Sequence, residues 1–132
     1  MVGQWSRMFP GQLTEVRTAR AFTRAVLDGN PMMDDAVLVV SELVSNALQH
    51  SMSGEYGGPF IVAVESNPGS VWVSVVDLGA ETTPSLSPTM PGPDRERGRG
   101  LSLVARLSKE WGTDQLPVGL RVWAELVPDG SS

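Results

Sequence analysis

Between Asp34 and Ser51 the chain carries a helix-forming run that is apolar on most of its circumference. Val37, Val40, Val44, Ala47 and Leu48 make one apolar face, and Leu38, Val39 and Leu43 widen it until little of the helix is left for water. A helix of this kind has to lie deep in a fold, so the remaining elements must be arranged to cover it. Asp34 and Asp35 mark its start, where carboxylates complement the helix dipole and accept bonds from free N–H groups. Glu42, Asn46 and His50 interrupt it at four-residue intervals, which sets a carboxylate, a carboxamide and an imidazole on one face. Each such group costs roughly 1 to 3 kcal/mol if buried without a partner. For one residue an internal hydrogen bond or a solvated face is the ordinary explanation. Three in register point to a polar ligand.

The elements around this helix follow from periodicity and punctuation. Gln4 to Phe9 alternates loosely and predicts an edge strand before the Pro10-Gly11 turn. Gln12 to Leu27 has the spacing of an amphipathic helix, closed by Gly29-Asn30-Pro31. Phe60 to Glu65 and Val71 to Asp77 read as a β-hairpin around Ser66-Asn67-Pro68-Gly69. Residues 79–98 hold four prolines and no periodic pattern, which predicts a long loop of the kind that often closes a site. Leu101, Val104, Ala105 and Leu107 predict a third helix running to Trp111-Gly112; Leu116 to Gly119 reads as a turn, and Leu120 to Val127 as a final strand. Residues 128–132 are expected to form a flexible tail.

Composition narrows the function classes. With 132 residues and 41% apolar content, one domain with one core is expected. The absence of cysteine removes disulfides, thiolate metal sites and cysteine nucleophiles. A net charge of −5 disfavours direct nucleic-acid binding, which rests on neutralising many phosphates. The amino-terminal residues lack a signal-peptide pattern and no run is long enough to span a bilayer, so a soluble, cytoplasmic chain without membrane contact is expected.

Two further motifs accompany the polar stripe. Asp77-Leu78-Gly79 ends the most apolar strand; a strand-end Asp is a common turn former, but its carboxylate can also accept an exocyclic amine, with Gly79 leaving room for a base. Gly98-Arg99-Gly100-Leu101 opens the third helix, where free N–H groups favour a phosphate; an ordinary flexible entry loop is the competing reading. Neither the dinucleotide fingerprint nor the Gly-Lys-Ser/Thr phosphate loop is present.

Taken in order, Ser41-Glu42-Leu43-Val44-Ser45-Asn46-Ala47-Leu48-Gln49-His50, Val75-Val76-Asp77-Leu78-Gly79 and Gly98-Arg99-Gly100-Leu101-Ser102-Leu103-Val104 resemble the ATP-binding superfamily that includes histidine kinases and gyrase. The short length, Trp111-Gly112 and the closing Val122 to Leu126 are most similar to bacterial anti-sigma-factor serine kinases and related actinobacterial ATP-binding regulators. The resemblance spans nearly the whole chain. It implies a single ATP-binding domain over residues 1–132, built as a Bergerat-type two-layer α/β sandwich, with helices on one face of a mixed, mainly antiparallel sheet and residues 80–98 as the ATP lid.

The same resemblance implies a set of roles. Glu42 is the general base or water-positioning carboxylate, Asn46 the magnesium ligand, and His50, Asp77, Gly79, Gly98, Arg99, Gly100 and Leu101 complete the ATP site together with Asn46. The implied cofactors are ATP and Mg2+. The implied partners are a sigma factor and its antagonist, the anti-anti-sigma protein, with a homodimer through the first strand or helix. Two positions depart from the pattern: Ala80-Glu81 stands where relatives have a second glycine, and Arg121 where they often place a threonine near adenine. Both bear on nucleotide affinity. A serine kinase acting on the antagonist protein is the leading expectation, and a non-catalytic ATP-binding module that sequesters a sigma factor or another signalling protein is the alternative. The lone histidine lies in the ATP motif, which leaves no phospho-acceptor helix for a histidine-kinase reading.

Overall fold

The computed structural model describes residues 2–50, 58–78 and 101–128. Strand β1 (Gly3–Phe9) leads into α1 (Glu15–Val26) and α2 (Met33–His50), followed by β2 (Phe60–Asn67), β3 (Ser70–Asp77), a short helix α3 (101–107), β4 (Glu110–Leu116) and β5 (Gly119–Leu126). The strands form one sheet in the order β1-β2-β3-β5-β4, and every neighbouring pair is antiparallel. The expected two-layer α/β fold is thus present, with the sheet antiparallel throughout rather than mixed.

Local chemistry sets the turns. Gly29 takes a φ of 85° after α1, a left-handed conformation that other residues adopt at a cost. The Asn30 side-chain oxygen then accepts a bond from the Met32 amide at 2.8 Å, so one asparagine both leaves α1 and starts α2. Between β2 and β3 the pairing of Asn67 with Ser70 leaves only Pro68-Gly69 as the loop, and Gly69 supplies the positive φ of 80° that its second position needs.

Alternation along the strands separates the two sheet faces. Phe60, Val62 and Val64 of β2, Val71, Val73 and Val75 of β3, and Val122, Ala124 and Leu126 of β5 are buried towards the helices. Against them lie Val39, Val40, Leu43 and Val44 of α2, none of them more than marginally accessible. Of the strands, α2 packs mainly on β3, and α1 packs mainly on α2. Phe9 ties the first strand in: its ring stacks on Phe60 at 5.3 Å and meets the edge of Phe22 from α1 at 6.0 Å. Thr23 is buried within this apolar layer because its hydroxyl donates to the Ala19 carbonyl at 2.9 Å.

The third helix is shorter than its sequence pattern suggests. It ends at residue 107, and Glu110–Leu116 forms a strand that the sequence reading does not contain. Trp111, which periodicity assigns to a helix end, lies opposite Ala124 in the sheet and packs against the core as a strand residue. The Lys109 amide donates to the Glu125 carbonyl at 2.7 Å, and this bond starts the β4–β5 ladder.

The contrast between two leucines on α2 tests this packing. Leu43 is fully buried and Leu38 is 43% exposed. Leu43→Ala should lower unfolding free energy by roughly 2–5 kcal/mol in urea denaturation, whereas Leu38→Ala should stay within about 0.5 kcal/mol of the parent.

Candidate functional site

On α2 the apolar residues Ala36, Val40, Leu43, Val44 and Ala47 are buried, while Glu42 and Asn46 are half-buried at the margin between core and solvent. One turn separates them, a rise of about 6 Å along the axis. The Asn46 side-chain oxygen is fully buried and has no hydrogen-bond partner among the described residues. A native fold seldom leaves such an atom unsatisfied, so this oxygen is the strongest local sign of a missing ligand. It is a hard, neutral donor of the kind magnesium accepts. Among the described residues no three or more His, Asp or Glu side chains come together as a metal cluster. A magnesium ion is commonly bound by few protein oxygens, with water and phosphate oxygens as its other ligands, and a single carboxamide oxygen suits that mode. His50 closes α2; its side chain lies outside the described residues.

Asp77 ends β3 on the same side of the sheet as Val71, Val73 and Val75, and it is buried with 4% exposure. Its strand is held at this end by the Leu78 amide, which donates to the Pro59 carbonyl at 3.0 Å. Across the ladder Asp77 lies opposite Leu120. Next to that pair, Gly119 is buried so tightly that an added Cβ would run into the Asp77 carbonyl oxygen. Gly119 therefore sets the seat of Asp77. The sequence reading treats it only as part of a turn, because nothing local marks a contact made with a residue 42 positions earlier.

Of the third motif, Gly98, Arg99 and Gly100 fall outside the described residues, as do Gly79 and the segment 80–98. Leu101 opens α3, half-buried, and its side chain packs on the core. The described structure thus places Glu42, Asn46 and Asp77 on the helix-bearing side of the sheet.

Arg121 does not join them. It lies opposite Val76 rather than Asp77, on the sheet face away from the helices, and pairs with Asp114 through bonds of 2.8 and 3.2 Å. Both side chains are about two-fifths exposed, so the pair contributes about 0–1 kcal/mol. The expectation that Arg121 stands beside adenine is corrected by parity: in a strand, neighbouring residues face opposite ways. Leu120, half-buried and packed on the core, holds the position beside Asp77.

The close approach at Gly119 gives a direct test. Gly119→Ala should destabilise the chain by roughly 1–3 kcal/mol, as overpacking against backbone does, and Gly29→Ala, which meets no atoms within 4 Å but has positive φ, should cost about 1 kcal/mol. Thermal unfolding of the two variants measures the difference.

Comparison with known proteins agrees with this geometry. No curated protein sequence matches the chain. Among solved structures, the crystal structure of the RsbU and RsbW domains of Rv1364c from Mycobacterium tuberculosis superposes with a TM-score of 0.67 and 21% identity. That match covers 95% of this chain and 32% of the other, so the chain spans about a third of the length of that protein. Among the described residues, no helix is long and apolar enough to cross a membrane. The model of the histidine kinase-like ATPase domain matches residues 9–126, nearly the whole chain and every described site residue. The chain belongs to the histidine kinase-like ATPase domain family.

Proposed function

We propose that this chain is an ATP-dependent regulatory serine kinase of the anti-sigma type, which binds a sigma factor and phosphorylates an antagonist protein. Nucleotide binding comes with the family. The observation that carries the finer reading is the buried, unpartnered oxygen of Asn46 one turn from the half-buried Glu42. Support also comes from the resemblance of the 41–50, 75–79 and 98–104 motifs to anti-sigma serine kinases.

In this reading Asn46 holds Mg2+ through its side-chain oxygen, and Asp77 reads the adenine amine. Bound Mg-ATP supplies the phosphoryl group and neutralises the charge that develops on it. Glu42 accepts the proton of the incoming serine hydroxyl, for which a carboxylate at the solvent margin is reachable by a protein substrate. His50, Gly79, Gly98, Arg99, Gly100 and Leu101 complete the nucleotide site, with 80–98 as its lid. A homodimer through the first strand or helix belongs to the same reading.

The rival, an ATP-binding module without catalysis, loses one of its two grounds. Arg121 is turned to the other sheet face and occupied by Asp114, which leaves Glu81 as the departure in its favour.

Two variants separate the roles. Glu42→Gln should bind Mg-ATP like the parent while radiolabel transfer to the antagonist protein falls roughly 10²–10⁴-fold, the span of a general base. Parent protein that binds ATP and labels no candidate antagonist would instead establish the non-catalytic module. Asn46→Ala should weaken Mg-ATP binding by about tenfold or more in calorimetry, near 1.4 kcal/mol, yet unfold no earlier than the parent. Removing a buried, unpartnered oxygen and adding alanine to a helix both favour the folded state.

A further inference from the structure

The sheet face away from the helices is covered by no helix or strand among the described residues, and its side chains fall into ordered cross-strand rows. One row runs Gln4, Glu65, Trp72, Glu125, Glu110 across all five strands. The next runs Ser6, Ala63, Ser74, Trp123, Gly112. The Trp72 and Trp123 rings meet at 5.2 Å with a tilt of 33°, and both residues are only half-buried. They line a depression of about 480 Å³ that Glu65 and Arg121 also border. Gly112 is what lets the indole lie flat: a Cβ there would come within 2.9 Å of the Trp123 ring.

The charge on this face is one-sided. Its one cation among the described residues, Arg121, is taken by Asp114. Among the described residues Glu65, Glu125 and Glu110 have no cationic partner, and Glu125 stands directly opposite Glu110. Like charges directly opposite in a sheet are destabilising. The Trp72 indole between Glu65 and Glu125, with Trp123 beside it in the next row, forms a site for a guanidinium or ammonium group, which the ring quadrupoles and the carboxylates attract together.

We propose that this face docks a basic amphipathic segment of another protein, with an Arg or Lys seated over Trp72 between Glu65 and Glu125 and apolar side chains resting on Trp123 and Ala63. Glu65 and Glu125 are two strand spacings apart, about 10 Å, the rise between helical residues seven apart. A helix with basic residues at that interval spans the row. A second copy meeting this face symmetrically would set each acidic row near its equivalent, so charge selects a basic partner over self-association. The site does not depend on the nucleotide reading, since Glu42, Asn46 and Asp77 lie on the other side of the sheet.

The test uses a synthetic helical peptide of leucine and arginine, and a twin with glutamate for arginine, each titrated into the whole chain while its tryptophan emission is followed. The arginine peptide should bind, with affinity falling as salt rises, and the glutamate twin should not. Trp72→Ala and Glu125→Gln should each weaken binding about tenfold, whereas Asp34→Asn, the same loss of one charge at the exposed start of α2, should leave it unchanged. Glu110→Gln supplies a readout that a purely structural role would not move: it should raise the thermal midpoint of the free chain while weakening the peptide. Equal weakening by Asp34→Asn would overturn the proposal in favour of unspecific charge attraction. Failure of the arginine peptide to bind would overturn it outright. So would a parent protein that elutes as a dimer and becomes monomeric with Trp123→Ala, since the occupant would then be a second copy.

Discussion

Helix α2 gives water a strip through Asp34, Leu38, Ser45 and Gln49, and the sheet and α1 cover most of the rest. Val39, Val40, Leu43 and Val44 are buried against an inner sheet surface made largely of valine, so α2 cannot shift without opening the core on both sides. Cores packed to crystal density tolerate little displacement, and they transmit that rigidity to whatever they hold. Asn46 and Glu42 inherit their positions from this contact. A carboxamide on a surface helix would be free to turn towards water. On α2 its oxygen is buried with no partner among the described residues, which is the form a preorganised ligand position takes before the ligand arrives.

The second fixed point is the end of β3. Asp77 continues the inward row of valines, so the strand that forms the centre of the core also delivers a carboxylate at its tip. Gly119 holds the neighbouring strand against the Asp77 backbone, and the Leu78–Pro59 bond holds it from the β2 side. Three separate parts of the chain therefore converge on one residue. The cost of any one of them failing is the position of Asp77 as well as local stability.

Which features could be read from sequence follows from the range over which each is determined. Helix α2 was legible because apolar periodicity acts over a few residues, and the hairpin because Pro68-Gly69 carries its own turn chemistry. The polar stripe on α2 was legible for the same reason as the helix. Strand β4 was not: Glu-Trp-Gly-Thr-Asp-Gln-Leu is an edge strand with a half-exposed, polar pattern, and of its two large apolar residues Trp111 also completes the preceding helical spacing while Leu116 falls at the following turn. Its identity is decided by pairing with β5, which no local window contains. Gly119 was missed on similar grounds, and Arg121 was assigned to the wrong face because a one-residue difference in register reverses every side chain.

The parity that misplaced Arg121 also lets one sheet carry two surfaces. Along β3, Val71, Val73, Val75 and Asp77 serve the helix layer, while Trp72, Ser74 and Val76 face outward. Consecutive residues therefore answer to different demands. The inward set is constrained by the volume of α2 and by the position of Asp77, and those constraints stop at the backbone. The outward set is limited mainly by cross-strand neighbours, such as the indole of Trp123 over Gly112. The outer face accordingly retains a carboxylate pair, Glu110 and Glu125, that weakens the free sheet and that the core has no use for. A fold that keeps a locally unfavourable arrangement outside its core has a reason for it elsewhere, and on this face the remaining candidate is contact with another molecule.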